Sequence, residues 1–174
     1  SWGVYVVSKS QVDLVMGQGS GAYGSTITGY RLSGGGMNAS STTPISIRSN
    51  ILTNTVTTYT ATVTDSRNRK KTYTVSVTAE PYNPPSLDAL SYRCDSAGSA
   101  NDEGKYGYAR AVSTFASVAG KNSVTISSKY RVRGSTGAYT TISNNMTSGT
   151  GIVFGNNALA LDKYYEILYT VVDG

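Results

Sequence analysis

Histidine is absent from all 174 residues, which removes the commonest general base, the Ser-His and Cys-His nucleophile pairs and the commonest metal ligand. No Ser stands three residues before a Lys, so the Ser-x-x-Lys nucleophile arrangement is missing as well. Cysteine occurs once, at Cys94, and excludes any intrachain disulfide, leaving packing alone to hold the fold. Charge is sparse: 15 basic and 10 acidic residues give a net +5 on a surface that is mostly neutral. Nucleic-acid binding calls for Lys and Arg gathered into a stripe with stacking aromatics between them, and no such stripe exists. No run of eighteen apolar residues occurs, so no helical membrane span is expected, and no basic-then-apolar segment resembles a signal peptide. The chain begins at Ser1 without Met and reads most simply as a piece of a longer or processed polypeptide.

What the chain does contain is strand chemistry. Val, Ile, Leu and Tyr carry the apolar fraction, Thr and Ser suit the solvent face of strands, and fourteen tyrosines stand against two phenylalanines. One motif occurs twice, at Tyr59-Thr-Ala-Thr-Val-Thr-Asp65 and Ile167-Leu-Tyr-Thr-Val-Val-Asp173. Tyr59, Ala61 and Val63 alternate with Thr, and Tyr165, Ile167, Tyr169 and Val171 hold the same phase. A period of two marks a strand with one buried face.

Three of the four prolines lie in Pro81-Tyr-Asn-Pro-Pro85, where the missing amide donor and fixed φ stop a ladder. The expected organisation is therefore a β-sandwich at 1–80, a stiffened linker at 81–85 and a second β-sandwich at 86–174. Strands are predicted near residues 3–7, 11–15, 26–32, 44–48, 56–64 and 71–78, then near 88–94, 105–116, 123–133, 139–143, 151–154 and 163–172. Val12, Leu14 and Met16 form one core face; Val124, Ile126, Tyr130 and Val132 form another. The first half follows its motif with a basic turn and a further strand, so the second half is read as lacking its last strand and leaving a sheet edge open, the missing strand being either cut off or supplied by another chain.

Candidate sites are few. Arg67-Asn-Arg-Lys-Lys71 reads as a solvated hairpin tip, with a phosphate or lipid contact as the alternative. Gly17-Gln-Gly-Ser-Gly-Ala-Tyr-Gly24 has the look of a phosphate loop, but no Lys and no helix follow it, so it reads as a flexible connection. Asp102-Glu103 and the pair Asp162 and Glu166 lie in or beside loops without the opposed arrangement that glycoside hydrolysis needs. Asp95, Asn101, Asp102 and Glu103 could offer oxygen ligands to Ca²⁺, but at a spacing that matches no EF-hand, and an ordinary polar loop is expected. Cys94 follows Leu90 and Tyr92 at strand spacing and is placed in the core. Tyr59, Tyr73, Tyr92, Tyr130 and Tyr169 are predicted to be core, and Tyr139, near Gly134 and Gly137, to be exposed for contact. No catalytic, cofactor-binding or metal residue is assigned, and the ligand-binding residues stay unassigned.

Several stretches resemble the immunoglobulin-like repeats of minor structural proteins from tailed phages of Gram-positive bacteria. The resemblance rests on Ser8-Lys-Ser10 before the strand at Val12, on Tyr23-Gly-Ser-Thr-Ile-Thr-Gly-Tyr30, on Thr62-Val-Thr-Asp-Ser-Arg67, on Tyr82-Asn-Pro-Pro85 leading to Tyr92-Arg-Cys94, and on Asp102-Glu-Gly-Lys-Tyr106. Asn68 stands where that family usually has Gly, and the second copy is truncated. The resemblance implies two tandem immunoglobulin-like β-sandwiches in a virion tail, at the tail tip or along a fibre, serving as a spacer or adhesion stalk. Its implied partners are other phage tail proteins and host cell-surface carbohydrate, with no cofactor and no enzyme activity. The alternative is an adhesin module, on a virion or bacterial surface, that binds carbohydrate or protein through Tyr139 or through Arg69, Lys70 and Lys71.

Overall fold

The computed structural model describes residues 2–174, and among them the chain forms twelve strands and no helix. It divides into two compact units that part between Tyr82 and Asn83.

The first unit contains β1 (Asp13–Val15), β2 (Ile27–Gly34), β3 (Met37–Ser41), β4 (Ser46–Arg48), β5 (Val56–Asp65) and β6 (Lys70–Thr78). An antiparallel sheet in the order β3-β2-β5-β6 faces a small second sheet, β1-β4. Period-two alternation sends Val12 and Leu14 from one side, and Tyr30, Leu32 and Tyr59 from the other, into a shared core with Ile45, Leu52 and Ala79. Tyr59 is 1% exposed and Leu52 2%, so truncating either to Ala would cost roughly 3–5 kcal/mol. The outer face is a threonine surface, with cross-strand hydroxyl bonds Thr58–Ser76 at 2.8 Å and Thr62–Thr72 at 3.3 Å.

The strand β3 was not anticipated, because Gly34-Gly-Gly36 reads as a loop. Gly35 and Gly36 in fact adopt φ of 56° and 75° and join Gly34 to Met37 in a two-residue hairpin. Positive φ at both central positions suits the right-handed twist of the flanking strands, and glycine supplies it without strain. The strand expected at 3–7 is reduced to one parallel bridge, Val6 to Glu80, since Gly3 at φ 71° and the turn after Val6 interrupt it.

The second unit contains β7 (Ser86–Cys94), β8 (Tyr106–Thr114), β9 (Val124–Val132), β10 (Thr140–Met146), β11 (Gly151–Phe154) and β12 (Tyr165–Asp173). Two three-stranded antiparallel sheets, β10-β9-β12 and β11-β8-β7, pack face to face. Ala109 with Phe154 and Leu159 makes one buried cluster and Ala111 with Ile126 and Met146 another, with Tyr169 touching both. Alanine on β8 lets the sheets approach. Gly107 does the same for the Phe154 ring, which lies 2.3 Å from where a Cβ would be. Cys94 is fully buried, and burial followed by the charge of Asp95 pushes its thiol up from the ordinary range.

The two copies of the repeated motif hold matching places. Asp65 pairs with Ile27 and Asp173 with Val124; six residues before each Asp, Tyr59 and Ile167 occupy the core face. Volumes are exchanged across equivalent pairs: Leu32 opposite Ala61 in the first unit corresponds to Ser128 opposite Tyr169 in the second. A large residue facing a small one fills the same gap whichever strand supplies it.

Candidate functional site

The densest polar construction lies at the β5–β6 turn. Asp65 is 7% exposed, and its Oδ1 accepts the backbone N–H groups of Arg67 and Arg69, both at 2.9 Å. The Arg69 guanidinium closes on Oδ2 at 2.7 Å. Burial acts to raise the acid's pKa, but the Arg69 N–H, the Arg69 side chain, the Arg67 N–H and the Ser25 hydroxyl outweigh it and hold the carboxyl at about 2. Asn68 sits at φ 60°, a left-handed position that Asn tolerates better than most residues.

Both arginines of the turn also reach back to the glycine-rich segment before β2. Arg67 donates to the Tyr23 carbonyl at 2.6 Å, and Arg69 to the Ala22 carbonyl at 3.1 Å and the Ser25 hydroxyl at 2.9 Å. Gly19 N–H donates to the Tyr30 hydroxyl at 2.9 Å. The basic run is thus divided in its roles. Arg67 and Arg69 tie down the loop, while Lys70 and Lys71 begin β6 and line the adjoining surface. The glycine segment is a strand connection leading into β2.

Two neighbouring depressions share Val63 and Lys71. One, of about 400 Å³, lies between the glycine segment and the basic turn; the other, of about 380 Å³, is apolar and lined by Leu14, Met16, Leu32, Ala61, Tyr73 and Val75. Tyr73 was expected in the core, and its phase is right, since it pairs with Ala61 on the inward face. It is nevertheless 73% exposed, because the β1–β4 sheet is too short to cover β6. An aromatic ring beside an apolar groove with a lysine, Lys71, on its lining can stack on a ligand and meet anionic or hydroxyl groups.

Tyr139, predicted to be open for contact, is instead half-buried and engaged. Its hydroxyl donates to Glu166 Oε1 at 3.0 Å, and the Arg131 guanidinium lies 4.2 Å from its ring centre. Arg131 also forms a salt bridge with Glu166. The Arg131 bond, then the Tyr139 bond, lower the Glu166 pKa, while the same contact raises that of Arg131. Asp162 lies instead beside Lys163 at 3.5 Å, so Asp162 and Glu166 serve different partners.

The acidic loop also has a structural use. Asp95 Oδ1 accepts the N–H groups of Ala97 and Ser99, and Asn101 Oδ1 that of Glu103. These are turns closed by side chains. Among the described residues no three His, Cys, Asp or Glu side chains gather as a cation site would need. Arg93, for which the sequence alone gives no role, donates to three backbone carbonyls, Gly104 and Lys163 at 2.8 Å and Ala160 at 2.7 Å. Its only sequence cue is a charge next to a buried Cys. Tyr92 and Tyr108 stack across β7 and β8 with centroids 4.7 Å apart.

Comparison of the chain with protein families, curated proteins and solved structures gives no match.

Proposed function

We propose that this chain is a structural component of a phage tail, working as a spacer or adhesion stalk built from immunoglobulin-like modules. The observation that carries the reading is the repeated motif, held at equivalent register in two units, since repetition of a scaffold multiplies reach and surface without adding chemistry. Residues best suited to reactivity are spent on structure: Asp65, Glu166 and Asp95 each accept bonds that shape a turn or a strand pair. The mechanism is geometric. Antibodies raised against the chain should decorate the tail of the source phage in electron micrographs; particles that carry no label, or label only on the capsid, would reject the assignment. Release of reducing ends from host cell-wall polysaccharide would reject the non-catalytic part of it.

A second reading, recognition of surface carbohydrate, is favoured by one feature: Tyr73, exposed beside the apolar groove and close in register to Lys71. It replaces Tyr139 as the aromatic contact. Tyr73→Ala combined with Lys70→Ala and Lys71→Ala should then abolish binding to host cells, and undiminished binding would remove this reading.

A further inference from the structure

The first unit is a sandwich left open along one side. Its smaller sheet is built from two three-residue strands, β1 and β4, whereas β5 and β6 run to ten and nine residues. The inward face of β6 therefore extends past its cover. The apolar groove of about 380 Å³ that results is lined by exposed Tyr73 and Val75 and reaches Leu14 and Leu32 of the buried core. Its size falls within the roughly 300–1,000 Å³ that small-ligand sites take.

Charge beside this groove has one sign. Lys71 shares the inward face with Tyr73 and Val75, since it pairs with Val63 as they pair with Ala61 and Tyr59. It lines both the apolar groove and the neighbouring depression of about 400 Å³, where Lys70 and Arg69 stand beside the backbone of residues 19–22. Among the described residues neither Lys70 nor Lys71 belongs to a salt bridge. Acids that would offset them are few: residues 1–82 contain Asp13, Asp65 and Glu80 against seven basic residues. Asp13 is paired with Arg48 and Asp65 with Arg69, while Glu80 follows the opposite end of β6. Residues 83–174, with eight basic and seven acidic residues, are nearly balanced. The positive excess of the chain is thus concentrated in the unit that carries the groove.

We propose that this groove binds a single-chain anionic amphiphile, with its alkyl chain along Leu14, Ala61, Tyr73 and Val75 and its phosphate against Lys71 and Lys70. Apolar lining alone would admit any hydrophobic chain, and lysines alone any anion; their adjacency selects a ligand that carries both. The inference goes beyond the tail assignment and beyond the sugar reading, because it needs an apolar chain that a sugar lacks. An inward-pointing lysine on an edge strand also discourages pairing between chains, and the experiment separates that role from ligand binding.

Dodecyl phosphate, titrated into the isotope-labelled full chain below its micellar concentration, tests this by nuclear magnetic resonance. One equivalent should bind, moving the amide signals of Ala61, Lys71, Tyr73 and Val75 while those of β7 to β12 stay in place. Dodecyl maltoside supplies the same chain without charge, glycerol phosphate the charge without a chain, and maltose a neutral sugar; each should bind about ten-fold or more weakly. Lys70→Ala combined with Lys71→Ala should weaken dodecyl phosphate about ten-fold and leave dodecyl maltoside unchanged, and added salt should act on the phosphate alone. Tyr73→Glu, which sets a carboxylate in the groove, should remove binding; the lysine variant, changed at exposed positions, decides where Tyr73→Glu disturbs folding. The proposal fails if the moving signals are scattered over both units, or if dodecyl maltoside or glycerol phosphate binds as tightly as dodecyl phosphate. It also fails if the lysine variant keeps the parent's affinity and changes only the oligomeric state, which would leave Lys71 as an edge guard. Maltose moving the same amides with equal affinity would overturn it in favour of the sugar reading.

Discussion

Asp65 is a carboxylate removed from water, and removal alone would neutralise it; it stays charged because two backbone N–H groups, a guanidinium and a hydroxyl converge on it. Its folded pKa of about 2 lies below the unfolded value of 3.8, so the group's contribution to stability is present above 3.8 and is lost as pH falls through about 2. Thermal melts across that window should show the parent protein losing stability on acidification more steeply than Asp65→Asn, which should melt several degrees lower at neutral pH and converge with the parent near pH 2. Parallel curves for the two proteins would mean that the four donors do not favour the ionised form. This residue's importance was only partly legible. The sequence placed it at a strand end before a basic turn, but that Arg67 and Arg69 fold back onto the glycine segment depends on contacts 44 and 47 positions apart in the chain, which no local spacing encodes. Tyr139 misled for the same reason, since Glu166 and Arg131 reach it from other strands.

Strands were readable wherever alternation ran long. The sequence boundaries for β5, β6, β9 and β11 lie within one or two residues of the observed ones, because each shows four or more residues in phase or sharp flanking turns. Met-Asn-Ala-Ser-Ser of β3 has no such alternation, and its only cue was the glycine pair that forms its hairpin. Phase also says which side of a sheet a residue takes without saying whether anything covers that side, which is how Tyr73 came to be exposed on an inward face. Between β11 and β12 the chain is irregular, and its attachment to β7 depends on Arg93, whose planar fork meets three carbonyls. Arg93→Ala should unfasten residues 155–164, seen as proteolytic cleavage there at least several-fold faster than in the parent while β9 and β12 keep their exchange protection. Arg93→Lys should give only partial rescue, because a single ammonium cannot hold three carbonyls in that fork geometry. Cleavage at the parent rate in Arg93→Ala would show that the loop is held by its own turns.

At the scale of the whole molecule, each unit carries a complete set of buried residues of its own: Val12, Leu14, Tyr30, Leu32, Ile45, Leu52, Tyr59 and Ala79 in the first, and Ala109, Ala111, Ile126, Met146, Phe154 and Leu159 in the second. The sheets differ in completeness, since the larger sheet of the first unit has four strands and those of the second have three each. Sequence duplication made the correspondence of β5 and β12 readable, while the exchange of Leu32 and Ala61 for Ser128 and Tyr169 hid how closely the surrounding core positions correspond. Residues 2–82 expressed alone should therefore give a β-type circular dichroism spectrum and a single cooperative thermal transition, and Leu52→Ala should destabilise that fragment by roughly 3–5 kcal/mol. Residues 83–174 should also fold, with a cooperative transition of their own, because their buried clusters are drawn entirely from within the unit. A first fragment without a cooperative transition would show that its buried set is not sufficient by itself. A second fragment without such a transition would show the same of the clusters around Ala109 and Ala111.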